Sequence, residues 1–462
     1  MSQALRPYQE SAIAQLRAGF LAGNRRQVLV VPTGGGKTTI MAHIVRLWLQ
    51  RHDTTNTVLF VAHRTELIEQ ASERLDQNGV SEHGIVMAGS FRHRPYAPVQ
   101  VASIDTLAAR KKLVPGPELV IIDECHRARA TQHHTLLTDP WKGFPNAQVI
   151  GLTATPWRLD GRGLGEYVDG RPILFSNLVV GATYADLIGD GFILEPRVLA
   201  PTPPPDLSGV RLGDDGDYSE SDLADLYDQP ASIADIVRHW KDHGNGERTI
   251  VFATSVQHSK HIAEAFAAVG ISAAHVDGTT PKDRRRETLD QLRSGDVRVV
   301  SSVAVLTEVF DCPPLSVAIL ARPTASVSLA RQMVGRVLRP AAGKTRALVI
   351  DLGGIVERHG WPTADLHWSL ADRPTKPRQG GGGEDEPLFH CKACRVISPG
   401  KPPKCPACGA VPGAAAIDLG VETQVPLVEL SRDSARRRPL PPAHGPRRPF
   451  RAAKPHHHWS NP

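Results

Sequence analysis

The chain has 462 residues, of which 41% are hydrophobic and 22% are charged. This composition excludes a chain that is disordered throughout, and the length is sufficient for about three domains. No uncharged apolar stretch reaches the ~18 residues that a membrane-spanning helix needs, and the N-terminus lacks the basic and then apolar segments of a signal peptide. We therefore expect a soluble, cytoplasmic protein with no membrane partner.

Positive charge is concentrated at the C-terminal end of the sequence. The formal net charge is +6, but residues 431–462 contain eight basic residues and one acidic residue, so the other 430 residues carry a net charge of −1. Residues 413–462 are rich in Pro, Arg and His and have few apolar side chains to bury, which predicts a disordered basic tail. Such a tail either attracts polyanions or keeps the chain soluble, and the sequence leaves both roles open.

Short apolar runs alternate with amphipathic helical stretches in two parts of the chain, a pattern typical of an α/β fold with parallel sheets. The predicted strands lie at residues 28–31, 58–61, 119–122 and 149–152 in the first part and at 249–254 and 297–303 in the second. We predict two tandem domains at residues 1–200 and 230–372, with a linker or insertion at 201–229 between them. A glycine-rich linker is expected at 373–387.

A glycine loop lies between the first predicted strand and a helix, where residues 32–39 read PTGGGKTT. Such a loop presents backbone N–H groups to phosphate oxygens, its lysine reaches the terminal phosphates, and the hydroxyl after the lysine binds Mg²⁺. The sequence therefore predicts an ATP site with Mg²⁺, and the alternative is an ordinary glycine turn. The candidate residues are Thr33, Gly34, Gly35, Gly36, Lys37, Thr38 and Thr39, with Thr38 as the Mg²⁺ ligand.

Two carboxylates, Asp123 and Glu124, follow the apolar run at 119–122. Parallel α/β sheets bind ligands at the carboxyl ends of their strands. We expect Asp123 to hold Mg²⁺ and Glu124 to orient and deprotonate the attacking water. Taken alone, the same residues are compatible with a solvated acidic turn.

Two arginines of the second predicted domain are candidates for contact with the phosphates. Gln332, Arg336 and Arg339 are spaced at i, i+4 and i+7, which predicts that they share one face of a helix. Arginines in such a position stabilise the charge on a transferring phosphoryl group, so hydrolysis would require closure of the cleft between the domains. The alternative is a surface helix with ordinary ion pairs.

These segments occur in the order found in superfamily 2 helicases, and the chain resembles that family from Leu5 to around Leu352. The segments that carry the resemblance are RPYQ at 6–9, the DEAD/DEAH-box form DECH at 123–126, LTATP at 152–156 and QMVGRVLR at 332–339. The segments AHRTEL at 62–67, RLDG at 158–161 and AVLTE at 304–308 are similar to the branch that contains type III restriction motor subunits and excision-repair DNA helicases. The resemblance implies two tandem RecA-like domains with ATP bound between them.

The resemblance also implies roles for single residues. Gln9 would read adenine, Asp311 would contribute to the nucleotide site, and His126 would face the second domain and sense closure. Thr153 and Thr155 would couple hydrolysis to movement of the strand. The residues at positions where the family contacts nucleic acid are Arg64, Ser103, Thr106, Gly278, Thr279 and Thr307. Hydroxyl and backbone donors suit binding that is independent of base sequence, although single Ser and Thr residues are as often helix caps.

One position departs from the family pattern. Val309 stands where the family has Gly, and a β-branched residue does not readily adopt a positive φ. The coupling role of the neighbouring residues, Thr307, Glu308 and Asp311, is therefore the least secure of these expectations.

Four cysteines, Cys391, Cys394, Cys405 and Cys408, form two CxxC pairs with ten residues between them. Two such pairs can present four thiolates to one tetrahedral ion, which predicts a Zn²⁺ ribbon at 388–412; the alternatives are a redox dithiol and an iron–sulfur site. Closed coordination leaves no open position, so the zinc ion would fold the ribbon and perform no chemistry. Basic residues around the cysteines make the ribbon a candidate docking module for DNA or for a nuclease or repair partner.

The sequence thus predicts an ATP-dependent DNA helicase or translocase that moves along duplex DNA, with ATP, Mg²⁺ and Zn²⁺ as its cofactors. The alternatives are an RNA helicase and an ATP-gated clamp that binds nucleic acid as a subunit of a nuclease complex. The expected catalytic residues are Lys37, Asp123, Glu124, His126, Gln332, Arg336 and Arg339.

Overall fold

The computed structural model contains two seven-stranded sheets. The structure describes residues 4–51, 57–90, 92–109, 116–127, 131–139, 143–157, 163–165, 174–201, 203–213, 216–244, 246–306, 311–371, 388–390, 397–399, 404 and 427–431. Within these ranges, no helix combines the length and the apolar character needed to span a membrane.

The first sheet is entirely parallel and has the order β3-β4-β2-β5-β6-β1-β7. Its strands are β1 Arg26–Val30, β2 Val58–Ala62, β3 His83–Val86, β4 Val99–Ser103, β5 Leu119–Ile122, β6 Gln148–Thr153 and β7 Asn177–Val180. The helices of this part of the chain are α1 Pro7–Leu21, α2 Lys37–Arg51, α3 Thr65–Gln77, α4 Ile104–Ala109, α5 Thr131–Thr138 and α6 Tyr184–Gly189, and a 3₁₀ turn covers Cys125–Arg127.

The second sheet has the order β10-β11-β9-β12-β13-β8-β16, in which only the edge strand β16 is antiparallel. Its strands are β8 Pro196–Pro201, β9 Thr249–Phe252, β10 Ala273–Val276, β11 Val299–Ser302, β12 Val317–Leu320, β13 Ala347–Ile350 and β16 Leu427–Leu430. The helices are α7 Glu220–Tyr227, α8 Pro230–His239 (continued by a π turn at Trp240–Gly244), α9 Val256–Ala268, α10 Lys282–Ser294, α11 Val327–Gly335 and α12 Ile355–His359. Two further strands, β14 Leu388–His390 and β15 Ile397–Pro399, pair antiparallel with each other.

The strands of the two sheets are apolar runs, because a parallel sheet that is covered on both faces buries the side chains on both sides of each strand. Separate clusters of buried apolar side chains lie on the two faces of the first sheet and on the two faces of the second. The predicted parallel α/β architecture is confirmed, and its two sheets agree with the expected tandem RecA-like arrangement.

Two parts of the structure differ from the sequence-based expectations, and a third decides between two alternatives. Pro196–Pro201 pairs with β13 of the second sheet, although these residues fall almost entirely within the predicted first domain. The segment expected to be a linker or an insertion contains the helix α7, which favours an insertion. Leu427–Leu430 lies in the predicted disordered tail but forms strand β16 against β8, so the prediction of disorder is wrong for these four residues. Their apolar LVEL run is too short to change the average composition of the tail.

Candidate active site

The phosphate loop follows β1 and ends where α2 begins at Lys37. Gly34 and Gly36 have φ angles of 90° and 77°, in the left-handed region that glycine adopts without strain. A Cβ added at Gly36 would also lie 2.6 Å from Gln9 Nε2. Backbone N–H groups at a helix N-terminus attract anions, so the loop has the geometry of a phosphate cradle.

The first turn of α1 supports this loop. The Tyr8 hydroxyl donates to Gly35 O at 2.7 Å, and Gln9 Nε2 lies 3.4 Å from the same carbonyl. Gln9 is 3% exposed, and its Oε1 accepts a hydrogen bond from Arg6 N at 3.0 Å. Gln9 therefore links the beginning of α1 to the loop in this structure. The sequence analysis did not single out Tyr8, although it stands within the RPYQ segment.

An aromatic and cationic cluster lies beside Tyr8. The Arg6 guanidinium carbon is 3.9 Å from the centroid of the Phe192 ring, and the ring centroids of Tyr8 and Phe192 are 5.7 Å apart. Burial raises the pKa of Tyr8, so its hydroxyl stays protonated and remains a donor to the loop. Phe192 carried no signal in the sequence because it belongs to no recognisable motif.

The acidic pair is brought to the phosphate loop by the sheet. Glu124 Oε1 lies 3.6 Å from Lys37 Nζ, and the Asp123 side chain accepts a hydrogen bond from Glu124 N at 3.0 Å. Glu124 has a φ of 47°, an uncommon value for a residue with a Cβ. Residues in such strained conformations cluster at active sites, where the surrounding structure holds them.

His126 connects the acidic pair to the end of β6. Its Nδ1 lies 3.2 Å from Thr153 Oγ1 and 3.3 Å from Glu124 Oε2, and the residue is 3% exposed. The Thr153 hydroxyl in turn donates to Thr155 O at 2.7 Å. A continuous set of polar contacts therefore runs from Glu124 to the TATP segment.

Cys125 is a core residue. It is 0% exposed, and burial, together with the carboxylates of Glu124 and Asp123, raises the pKa of its thiol well above the usual value. The thiol therefore stays protonated and is a poor nucleophile or metal ligand.

The arginine segment is arranged differently from the prediction. The helix α11 ends at Gly335, Arg336 keeps a helical conformation as the C-cap, and Arg339 lies beyond the helix. The expectation that Gln332, Arg336 and Arg339 share one face of a single helix is therefore wrong. The last turn closes with i→i−3 hydrogen bonds, from Arg336 N to Met333 O and from Val337 N to Val334 O, so the chain leaves α-helical geometry before it reaches Arg339.

The arginine segment nevertheless lies against the phosphate loop. A Cβ added at Gly335 would lie 2.6 Å from Cβ and Cγ2 of Thr33, so only glycine allows this close approach. A Cβ on Gly34 would lie 3.6 Å from Arg339 Cγ, and Arg339 also forms an ion pair with Asp311. Gln332 and Arg336 are 4% and 7% exposed. Gly335, which the sequence analysis did not list as a site residue, is the glycine of the QMVGRVLR segment.

A second contact joins the domain of the first sheet to the domain of the second sheet. The hydroxyl of Thr155, after β6, is hydrogen-bonded to the hydroxyl of Ser328 on α11. The two residues are 2% and 4% exposed. Ser328 carried no signal in the sequence, because it lies 173 residues away from its partner.

The residues expected to contact nucleic acid lie at or beyond strand ends. Arg64 is the N-cap of α3, and its Nη2 donates to Ala304 O of the second domain at 3.4 Å. Ser103 ends β4, and Thr106 lies on α4. Gly278 and Thr279 are exposed after β10, and both the N–H and the hydroxyl of Thr279 donate to Asp277 Oδ1. Thr307 lies outside the described residues, as does Val309.

The four clustered cysteines, Cys391, Cys394, Cys405 and Cys408, also lie outside the described residues. The described strands β14 and β15 flank residues 391–396 in the chain and pair with each other.

Comparisons with known proteins identify two family models that match parts of this chain. Residues 2–158 match the family model described as type III restriction enzyme, res subunit, and residues 229–341 match the model of the helicase conserved C-terminal domain. The chain is 31% identical over 337 residues to a 51.5 kDa protein of a Lactococcus phage (isolate 7-9), in a match that covers 73% of this chain and 68% of the phage protein.

A second relative is a Schizosaccharomyces pombe protein named as a candidate mitochondrial ATP-dependent helicase, irc3. It is 32% identical over 357 residues, which cover 75% of this chain and 57% of the relative. Among solved structures, the ATP-dependent type ISP restriction-modification enzyme LlaBIII bound to DNA is similar, with a TM-score of 0.54 and 18% identity. That match covers 75% of this chain and 28% of LlaBIII, and it shows a shared fold.

Proposed function

The chain belongs to the superfamily 2 helicases related to restriction-enzyme motor subunits, and from this we propose that it is an ATP-dependent DNA helicase or translocase. The observation that carries the proposal is the contact of Gly335 with Thr33, because it places an arginine segment of one domain on the phosphate loop of the other. A site completed by two domains couples nucleotide chemistry to their relative movement.

ATP would bind at the glycine loop, with Lys37 against its terminal phosphates. The oxygens of Thr38 and Asp123 are the hard ligands that Mg²⁺ prefers, and they follow strands of the same sheet. Mg²⁺ would neutralise charge on the phosphate oxygens. Glu124 would orient the attacking water and accept its proton, while Lys37 and His126 hold the carboxylate in place.

Charge that develops on the γ-phosphate would be stabilised by Arg336 and Arg339. Their approach depends on closure, because both residues come from the second domain. The path from Glu124 through His126 and Thr153 to Thr155 ends at Ser328 on the same helix that leads to Arg336. We propose that this path couples the state of the nucleotide to the position of α11.

DNA is the proposed track because the first-domain match is to restriction-enzyme subunits, whose substrate class is DNA. Arg64, Ser103, Thr106, Gly278, Thr279 and Thr307 are proposed to contact the phosphate backbone, and such contacts carry no base information. A cytoplasmic location, the domain boundaries and a partner that supplies nuclease or repair activity remain predictions.

Steady-state ATP hydrolysis tests the proposal. It should be measured with no nucleic acid, duplex DNA, single-stranded DNA and RNA, using Lys37→Ala and Glu124→Gln as variants. We expect stimulation by DNA in the wild type, loss of hydrolysis in both variants and retention of ATP binding in Glu124→Gln. Triplex displacement then separates movement along duplex DNA from clamping. RNA-selective stimulation would favour an RNA helicase, and binding without hydrolysis would favour the clamp.

The cysteine cluster is proposed to bind one structural Zn²⁺. Four thiolates in two CxxC pairs are the donor set of closed tetrahedral zinc sites. The pairing of β14 with β15 on either side of the first pair supports a compact ribbon. Its role would be to fold a docking module for DNA or for a protein partner.

A further inference from the structure

The segment between β8 and α8 has no role assigned by the motifs, yet it is organised around a small core of its own. Leu207, Leu223 and Tyr227 are each at most 8% exposed and pack together. The helix α7 lies within it, capped by Ser219, whose side chain accepts a hydrogen bond from Asp222 N. Of the two expected alternatives, a linker and an insertion, this segment is therefore a folded insertion on the second domain.

The insertion places one buried carboxylate, Asp217, on the turn that precedes α11. Asp217 is 5% exposed. It accepts hydrogen bonds from Arg322 Nη2 at 3.0 Å, from Thr324 Oγ1 at 2.9 Å and from Ala325 N at 2.6 Å. One side chain of the insertion thus binds three groups of the turn between β12 and α11.

The same turn continues directly into the first turn of α11. Thr324 Oγ1 accepts a hydrogen bond from Ser326 N at 3.0 Å, and Ser326 is the N-cap, whose Oγ accepts from Leu329 N at 3.2 Å. His359 Nε2 lies 2.7 Å from Thr324 O, so α12 holds the turn from another side. The orientation of α11 is therefore fixed at its N-terminal end by an unbroken hydrogen-bond chain that begins at Asp217.

The other end of α11 lies at the candidate active site. There Gly335 contacts Thr33 and Arg336 follows immediately, whereas Ser328, which contacts Thr155, lies in the first turn of the helix. Because a helix of nine residues behaves as a rigid element, a change of its direction at Ser326 moves Arg336 relative to the phosphate loop.

We propose that Asp217 is a positioning residue for hydrolysis, which acts by holding α11 and hence Arg336 in register with the phosphate loop. The inference rests on the proposed ATPase function, because ATP hydrolysis is the reaction that this positioning serves. Asp217 lies in none of the motifs identified in the sequence and acts on the site through the Thr324 turn.

The insertion offers a matched control. Asp222 belongs to the same segment and forms an ion pair with Arg211, whose side chain is 77% exposed, and among the described residues its carboxylate does not contact the α11 turn. Replacing Asp217 by Ala leaves the buried Arg322 without its carboxylate and removes the acceptor for Thr324 and Ala325. Replacing Asp222 by Ala removes an ion pair of comparable chemistry at the surface.

The first experiment compares kcat and KM for ATP in Asp217→Ala, Asp217→Asn and Asp222→Ala. We expect kcat to fall about tenfold or more in Asp217→Ala with KM within about twofold of the wild type, since loss of orientation acts on the chemical step. Asp217→Asn keeps an acceptor oxygen and should recover part of kcat. Asp222→Ala should match the wild type. An unchanged kcat in folded Asp217→Ala, or an equal loss in Asp222→Ala, overturns the proposal.

Hydrogen exchange of residues 326–336 gives a readout that does not depend on hydrolysis. Exchange should rise in Asp217→Ala and stay at the wild-type level in Asp222→Ala; equal exchange in all three proteins overturns the proposal. If the wild type hydrolyses no ATP, the proposed function fails, while hydrogen exchange still decides whether Asp217 positions α11. Should Asp217→Ala not fold, Thr324→Val and Thr324→Ser replace it: only Val should lower kcat, because Ser keeps the hydroxyl, and equal rates contradict the inference.

Discussion

Arg285 Nη1 lies 2.5 Å from Glu66 Oε1, so an ion pair joins α10 of the second domain to α3 of the first. The two side chains are 15% and 32% exposed. Arg285 Nη2 also lies 3.3 Å from Asp277 O and from Thr280 O, which fixes the guanidinium beside the exposed Gly278 turn. The pair borders a cavity of about 300 Å³ that is lined by acidic residues of α3 and basic residues of α10. It stabilises the approach of the two domains on the side proposed to bind DNA.

The ion pair should contribute to the coupling between DNA binding and ATP hydrolysis. Glu66→Gln and Arg285→Gln should each lower DNA-stimulated kcat about fivefold. The double variant should lose no more activity than either single variant, which corresponds to a coupling energy of about 1 kcal/mol between the two side chains. Arg284→Gln is the control, since Arg284 pairs with Glu287 of its own helix. Losses that simply multiply in the double variant would show that the two residues act independently.

The close approach at Gly335 should be intolerant of any side chain. Gly335→Ala places a Cβ 2.6 Å from two carbon atoms of Thr33, so α11 must move away from the phosphate loop. We expect kcat to fall about 100-fold with little change in KM, as a shift of about 1 Å in catalytic groups can produce such a loss. Gly189→Ala is the matched control, because a Cβ there would meet no atom within 4 Å. A Gly335→Ala enzyme with wild-type kcat would refute the closed arrangement as the active one.

Acid should destabilise the second domain through His258. This residue is 0% exposed, and burial lowers its pKa to about 4, so the folded state binds fewer protons than the unfolded state between pH 4 and 6.5. The contribution of His258 to stability is therefore fully present above pH 6.5 and falls by about 2 kcal/mol between pH 7 and pH 5. Thr254 N donates to His258 Nδ1 at 3.3 Å. The side-chain oxygen of Asn can accept the same hydrogen bond, so Asn is the replacement chosen for His258.

Urea unfolding of wild type and His258→Asn at pH 7 and pH 5 measures this contribution. The variant is expected to be less stable at pH 7, because a smaller side chain leaves a cavity, but to lose about 2 kcal/mol less on acidification. Equal losses in both proteins would assign the acid sensitivity to other groups.

Metal analysis should find one zinc ion per chain. Double substitution of Cys391 and Cys405 by Ser should abolish zinc binding, because each CxxC pair then keeps a single thiolate. Cys312→Ala should retain zinc, since Cys312 is a buried residue of the second domain and burial raises the pKa of its thiol. Iron in place of zinc would indicate an iron–sulfur site, and a metal-free protein would remove the ribbon proposal.

Much of the candidate site could be predicted because its residues follow strands that the sequence marks clearly. Asp123 comes directly after an apolar run, Lys37 closes the glycine loop that follows another, and the parallel sheet brings the ends of these runs to one edge. The contacts between domains were not predictable, because periodicity carries no information about pairs such as Thr155 and Ser328, which are 173 residues apart. The end of α11 at Gly335 was not predictable either, because Pro340 restricts only Arg339, the residue before it.

Strand β16 also determines whether the C-terminal part of the chain can be removed without causing self-association. Leu427–Leu430 pairs along β8, whose other side is occupied by β13. A protein truncated at residue 412 would leave the backbone groups of β8 open along that edge, and open edges template pairing between molecules. Removing the C-terminal segment to improve solubility should therefore have the opposite effect, and light scattering of the shortened protein should reveal self-association.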